Sequence, residues 1–153
     1  MKVAVYPGSF DPITNGHLEI LKRALNIFDK FLMLVADNPN KKSRFSAEDR
    51  VAKIKEAVND DRVVVDCSEG LTVEYAKKHG ASHLIRGLRA VTDFEYEFSL
   101  ASANDFIDSS IDTVFLMRKA EKSFINSSMI MELQQSGVDV SDLVPPSVLK
   151  RLK

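Results

Sequence analysis

Short apolar runs alternate with amphipathic stretches along this chain. Lys2–Tyr6, Lys30–Ala36, Arg62–Asp66, Ser82–Arg86 and Thr113–Met117 are brief and rich in β-branched or aromatic residues, which predicts buried strands. Between them the spacing changes to that of helices. Leu18, Leu21, Leu25 and Phe28 step by three, four and three and so mark one helical face. Val51, Ile54 and Val58 repeat the pattern after Ser46, a suitable N-cap with Asp49 three residues on. Leu71 to His79 predicts a short helix stopped by Gly80, and Val91, Phe94, Phe98 and Ala101 mark a longer one. A further helix spans Ser127 to Ser136 before Gly137, and Pro145-Pro146 opens a last short one. Strand–helix alternation of this kind predicts an α/β fold: a doubly wound, five-stranded parallel sheet with helices on both faces. No composition shift, repeat or linker divides residues 1–153, so one domain is expected.

Such sheets bind ligands beyond the carboxyl ends of their strands, so the chemistry is sought at five strand exits. The first reads Pro7-Gly8-Ser9-Phe10-Asp11-Pro12-Ile13-Thr14-Asn15-Gly16-His17. The others carry Asn38 to Arg44, Ser68 to Thr72, Arg86 to Arg89, and Arg118 to Ser128. Four of the five bring cations or a histidine. The topology would gather His17, Lys41, Lys42, Arg86, Arg89 and Lys122 around one cleft, where helix N-termini add free backbone N–H groups. That combination suits several phosphates at once. Gly8 would allow close backbone approach of a ligand, Ser9 offers a hydroxyl and an N–H, and Gly16 would leave room beside His17. Neither G-x-x-x-x-G-K-[ST] nor G-x-G-x-x-G occurs, so the P-loop and dinucleotide readings fail.

Composition sharpens this. The formal charge is −1, with 21 Lys and Arg against 22 Asp and Glu, so bulk electrostatics propose neither nucleic acid nor a membrane surface as partner. The anion site must come from local placement of charge. A single cysteine, Cys67, excludes an internal disulfide and a multi-cysteine zinc site, and is expected to be a buried, inert thiol. The apolar start is too short for a signal-peptide core, and the run Phe31–Ala36 is far below the roughly 20 residues that span a bilayer. A soluble cytoplasmic protein is expected.

Three blocks carry a family resemblance. Tyr6 to His17, then Leu84-Ile85-Arg86-Gly87-Leu88-Arg89-Ala90-Val91 with Asp93-Phe94-Glu95-Tyr96-Glu97, then Ser123-Phe124-Ile125-Asn126-Ser127-Ser128 resemble the bacterial phosphopantetheine adenylyltransferase family. That family belongs to the T/H-x-G-H nucleotidyltransferase superfamily, with a Rossmann-like fold. The resemblance covers nearly the whole chain and departs from the family's pattern at Asn126 and Lys122. It implies transfer of an adenylyl group from ATP to 4′-phosphopantetheine, giving dephospho-coenzyme A and pyrophosphate, the penultimate step of coenzyme A biosynthesis. It further implies magnesium (Mg2+) with ATP, coenzyme A as feedback inhibitor, and a homohexamer built as a dimer of trimers.

Roles carried over by the resemblance follow the matching positions. His17 would contact the α-phosphate in the transition state. Ser9 and Phe10 belong to the ATP site, and Ser9 would touch both substrates. Lys41 and Arg86 would hold the phosphopantetheine phosphate, with Leu71 and Thr72 along its arm. Gly87, Leu88 and Arg89 would bind ATP, with Glu97 at the nucleoside. Lys122, Ser123, Phe124, Ile125, Asn126, Ser127 and Ser128 would cradle the triphosphate. Other readings of the same residues are ion pairing of Arg86 and Arg89 with Asp93, Glu95 or Glu97, a solvated loop at Lys41 to Arg44, and simple helix capping by Ser127 and Ser128. The competing functions are a nucleotidyltransferase for another phosphate-bearing acceptor and a non-catalytic nucleotide sensor.

Overall fold

The computed structural model describes residues 1–119 and 125–152. Its sheet contains β1 (Val3–Gly8), β2 (Lys30–Ala36), β3 (Val63–Ser68), β4 (His83–Leu88) and β5 (Asp112–Met117). All pairings are parallel and the order is β3-β2-β1-β4-β5. The chain therefore winds one way from β1 through β3, then returns to the other side of β1. The point of reversal, between β1 and β4, is where a crevice opens at the carboxyl ends of a doubly wound sheet.

Strands β1, β3 and β4 begin one residue later and end two residues further on than the apolar runs predict. Apolar runs report burial, whereas the ladder extends as long as a neighbour's backbone lies alongside. Pro7 and Gly8 stay in register with Leu34 and Val35 although the apolar run ends at Tyr6.

The helices are α1 (Asn15–Ala24), α2 (Ala47–Ala57), α3 (Thr72–Lys78), α4 (Val91–Ile107), α5 (Ser127–Gln135) and α6 (Pro146–Leu149). Ser46 caps α2 by accepting from the Asp49 N–H at 3.1 Å. Gly80 and Gly137, at φ +72° and +83°, follow α3 and α5 in the left-handed conformation that stops a helix without a Cβ penalty. Helix α1 ends earlier than its stripe, yet Phe28 remains buried because the Asn26 and Ile27 N–H groups bond three residues back and carry the turn on.

Side-chain alternation in the central strands splits the core into two layers. Ala4, Tyr6, Phe31, Met33 and Val35 face one layer, with Ile20, Leu21, Ile54, Ile130 and Val148 from the helices. Val5, Leu32 and Leu34 face the other, with Val73, Tyr75 and Ala76 of α3. Both faces of β1 and β2 are covered, as a parallel sheet requires. Helix α4 differs. Its stripe of Val91, Phe94 and Phe98 does not enter the core: Val91 is 89% exposed and Phe98 57%. Its one buried residue is Glu97.

Candidate active site

The first strand exit is built around aromatic packing. Phe10 adopts φ +46°, uncommon for a residue with a side chain, and its ring folds back over Gly8. A methyl group at Gly8 would stand 3.0 Å from Phe10 Cζ. Gly8 thus makes room for the protein's own ring rather than for a ligand, contrary to the expectation from sequence. Phe10 is buried, edge-on to Tyr6 at 5.3 Å and to His17 at 5.0 Å. Two clamps hold this turn. Asp11 accepts from the Arg44 and Phe45 N–H groups at 2.7 and 3.0 Å, tying the loop after β2 to the exit of β1. Arg50, from α2, donates to the Ser9 carbonyl at 2.8 Å.

His17 lies in the first turn of α1, inside a reciprocal cap. Its N–H donates to Thr14 Oγ1 at 3.3 Å, while the Thr14 N–H donates to His17 Nδ1 at 3.0 Å. A backbone N–H can only donate, so Nδ1 must be the unprotonated nitrogen and Nε2 carries the hydrogen. The local fold therefore sets the tautomer and presents Nε2–H as a donor. Burial, followed by the charges of Arg118, Arg86 and Arg89, lowers the pKa of His17 to about 3. The ring stays neutral at physiological pH and so can offer a hydrogen bond rather than a transferable proton. An NMR pH titration should place its midpoint far below 6.5, and a midpoint near 6 would contradict this geometry. The stability link has a definite sign. An unfolded His17 takes up its proton near the ordinary value of 6.5 while the folded ring resists until about 3. Its contribution is complete above pH 6.5 and is lost as pH falls toward 3.

Around this histidine lies a cleft of about 830 Å³, lined by Ser9, Asp11, His17, Lys41, Lys42, Ser43, Arg44, Arg89, Arg118, Asn126, Ser127 and Ser128. A recess of about 180 Å³ adjoins it, bounded by the turn Tyr6 to Phe10 with His17, Arg86, Gly87 and Arg118. Residues from the exits of β1, β2, β4 and β5 meet here, together with the N-termini of α1 and α5. Asn126 caps α5, its side chain accepting from the Met129 N–H at 2.8 Å. Ser127 Oγ donates to the Pro12 carbonyl at 2.8 Å, and Ser128 Oγ accepts from Arg44 at 3.1 Å. Capping and cleft lining thus coexist in the same residues.

Other candidates are placed differently. Arg86 makes a two-pronged ion pair with Glu97, both contacts at 2.7 Å, and donates to the Pro7 carbonyl at 3.2 Å. Burial opposes the Arg86 charge, but Glu97 outweighs it and raises the pKa. Glu97 is buried, not solvated, and both its oxygens serve Arg86. Arg89 pairs with Asp93 at 3.3 Å and still lines the cleft. The Leu88 carbonyl accepts from the Arg118 N–H at 2.8 Å. Ile125 is buried and offers its carbonyl to the Arg118 side chain. Leu71 does not enter the cleft: it lines a separate depression with Cys67, Tyr75 and His79, and Thr72 follows it as the first residue of α3. Cys67 is exposed rather than buried as expected from sequence, since it lies near the carboxyl end of β3, the edge strand of the sheet. Lys122, Ser123 and Phe124 lie outside the described residues.

Three participants escaped the sequence reading: Arg118, Arg50 and Asp11. Arg118 follows directly on β5, so the strand-exit rule that selected Arg86 could have selected it. Gly16, expected to make room beside His17, faces Arg118 instead; a methyl there would stand 2.8 Å from the guanidinium carbon. Asp11 meets backbone N–H groups remote in the chain, and Arg50 joins the distant Ser9 carbonyl to Asp37 and to the nearby Phe45 carbonyl, a combination no short stretch of sequence announces.

With this geometry in hand, known proteins resemble the chain closely. Residues 5–133 match the model of the cytidylyltransferase-like family. The phosphopantetheine adenylyltransferase of Thermotoga neapolitana is 50% identical over 98% of this chain and 94% of its own length. That of Geotalea daltonii is 49% identical over 99% and 95% respectively. The chain belongs to the phosphopantetheine adenylyltransferase family. A solved structure from Vibrio parahaemolyticus, assigned provisionally as a nicotinate-nucleotide adenylyltransferase, shares the fold at a TM-score of 0.72. It is 17% identical, over 99% of this chain and 91% of that one. The doubly wound parallel sheet expected from the strand–helix pattern is the one found, and its nucleotidyltransferase affiliation is the one the resemblance implied.

Lysines and arginines dominate the lining of the cleft, with Asp11 as its one carboxylate among the described residues. Among the described residues, no group of three or more His, Cys, Asp or Glu side chains could hold a metal ion. Asp11, the carboxylate lining the cleft, already accepts two backbone N–H groups. The cations and helix N-termini that line the cleft favour an anionic occupant.

Proposed function

We propose that this chain transfers the adenylyl group of ATP to the phosphate of 4′-phosphopantetheine by direct in-line attack, with residues 1–153 acting as one nucleotidyltransferase domain. An acceptor phosphate oxygen forms the new bond to the α-phosphorus, and the bond from that phosphorus to the leaving pyrophosphate oxygen breaks with its electron pair. The attacking group is already an anion, so no general base is needed. The barrier is the approach of one anion to another, and alignment with charge neutralisation lowers it. The observation that carries this reading is the neutral His17, locked as an Nε2–H donor within a cleft of arginines and lysines.

The roles divide along the cleft. His17 donates to the α-phosphate. Ser9, which borders both the cleft and its recess, meets both substrates. Lys41 and Arg86 take the phosphopantetheine phosphate, and Leu71 and Thr72, which lie outside the cleft, would meet only the far end of its arm. Gly87, Leu88, Arg89 and the segment 122–128 hold ATP. Glu97 acts through Arg86, which it grips at the strand exit. Magnesium bound with the nucleotide would supply charge neutralisation for the leaving pyrophosphate, while Arg89 and the segment 122–128 hold the phosphates. Lys41→Ala is expected to raise the KM for phosphopantetheine about tenfold with kcat nearly unchanged, as for a positioning contact. A rise confined to the KM for ATP would reverse the assignment of the two substrates.

Dephospho-coenzyme A and coenzyme A present the same phosphate and arm, which supports feedback inhibition by coenzyme A at this cleft. The exposed apolar stripe of α4 supports assembly with further copies of the chain, as a homohexamer testable by sedimentation. No described helix is long and apolar enough to cross a membrane, which agrees with a cytoplasmic setting. The deciding experiment is pyrophosphate release with ATP, magnesium and a panel of acceptors: phosphopantetheine, nicotinamide mononucleotide and glycerol phosphate. Turnover with phosphopantetheine alone is expected. Turnover confined to another acceptor would replace the substrate, and none in excess of protein would leave a nucleotide sensor.

A further inference from the structure

Arg118 stands apart from the other arginines of the cleft. Arg86 and Arg89 each hold a carboxylate, at 2.7 and 3.3 Å. Arg118 forms no ion pair with any described residue. Its Nη1 donates to the Ile125 carbonyl, and its guanidinium also meets the Tyr6 hydroxyl. Glu19 and Asp93 act on it only at a distance, and its buried Nε has no hydrogen-bond partner. A half-buried guanidinium that is neither fully hydrated nor paired is costly to keep. Its position adds to that cost. The group lies against Gly16 in the first turn of α1, where the helix dipole is positive. It also adds positive charge beside His17. A cation, a helix N-terminus and a neutral N–H donor repel or ignore one another unless an anion lies among them. Only three residues border both the cleft and its recess among the described residues: Ser9, His17 and Arg118.

We propose that Arg118 is a second ligand of the transferring phosphoryl group, donating from its guanidinium beside His17 while Nη1 stays anchored on the Ile125 carbonyl. This inference rests on the adenylyl-transfer reading above. Gly16 belongs to the same device, because any side chain there would occupy the guanidinium's place.

The test compares Arg118→Gln and Arg118→Lys with the parent protein in single-turnover adenylyl transfer at saturating ATP, magnesium and phosphopantetheine. Glutamine can still donate to Ile125 but has no charge, so it separates anchoring from phosphoryl contact. Arg118→Gln should slow the transfer about thirtyfold, below the hundredfold scale of a primary oxyanion donor, with both KM values little changed. Arg118→Lys should recover part of the rate. The His17 ring should titrate at higher pH in Arg118→Gln, since one neighbouring charge has gone. A glutamine variant as fast as the parent would overturn the proposal, as would a slowing that appears only in one KM or an unmoved His17 titration. A parent protein inactive on phosphopantetheine would instead defeat the underlying reading, so the two failures are distinguishable.

Discussion

His17→Ala should slow adenylyl transfer by at least about a hundredfold, a loss of about 3 kcal/mol of transition-state stabilisation. The lost interaction is the Nε2–H donor, held in position by the Thr14 backbone on the other side of the ring. The effect belongs in kcat, because the donor meets charge that concentrates at the α-phosphate as the bonds exchange. Substrate affinities should change little, since Lys41, Arg86, Arg89 and the α5 N-terminus remain. His17→Gln, with a donor of similar reach, should recover only part of the rate. Its amide lacks the ring's packing against Phe10, at 5.0 Å between centroids, which fixes direction. Unchanged turnover in His17→Ala, measured by pyrophosphate release, would remove His17 from the mechanism.

Arg50→Met should cost about 3 kcal/mol of folding stability, equivalent to roughly 10 °C in melting temperature for a domain of this size. Arg50 is only 1% exposed, and each of its three nitrogens has an acceptor. Nε meets the Phe45 carbonyl at 3.1 Å, Nη1 the Ser9 carbonyl at 2.8 Å and Nη2 Asp37 at 3.0 Å. Methionine fills much of the volume but leaves these acceptors without partners in a poorly hydrated place. Urea unfolding analysed by linear extrapolation provides the measurement. A loss below about 1 kcal/mol would show that the bonds are readily replaced by water. Activity should fall as well, because Arg50 fixes the turn that carries Ser9.

Both predictions concern interactions of unequal visibility in the chain. The histidine could be selected from sequence because a first helical turn is a local feature: Thr14 precedes the helix, Gly16 is small, and His17 falls at its mouth. The strands were equally legible, since a two-residue alternation and a β-branched run are properties of consecutive residues. Arg86 shows where this stops. Its place at a strand exit follows from the chain, but its bond to Glu97 depends on how α4 returns across β4. The acids beyond Arg89 look alike in sequence, and only packing separates buried Glu97 from exposed Glu95. Leu71 makes the same point in reverse: the third exit follows a strand at the sheet edge, and its side chain enters a different depression.

Periodicity, caps and strand-end chemistry along the chain were enough to determine a doubly wound sheet and to gather cations with His17 at the carboxyl ends of its strands. Tertiary structure alone decided which nitrogen of His17 carries the hydrogen, which arginines have carboxylate partners, and that Arg118 has none among the described residues. The physical reason is range. Burial pattern and helix capping are set by residues within a turn or two, whereas hydrogen-bond and charge partners are assigned by the order of strands. That order carries β5 to the far side of β4 and brings Arg118 against the first turn of α1.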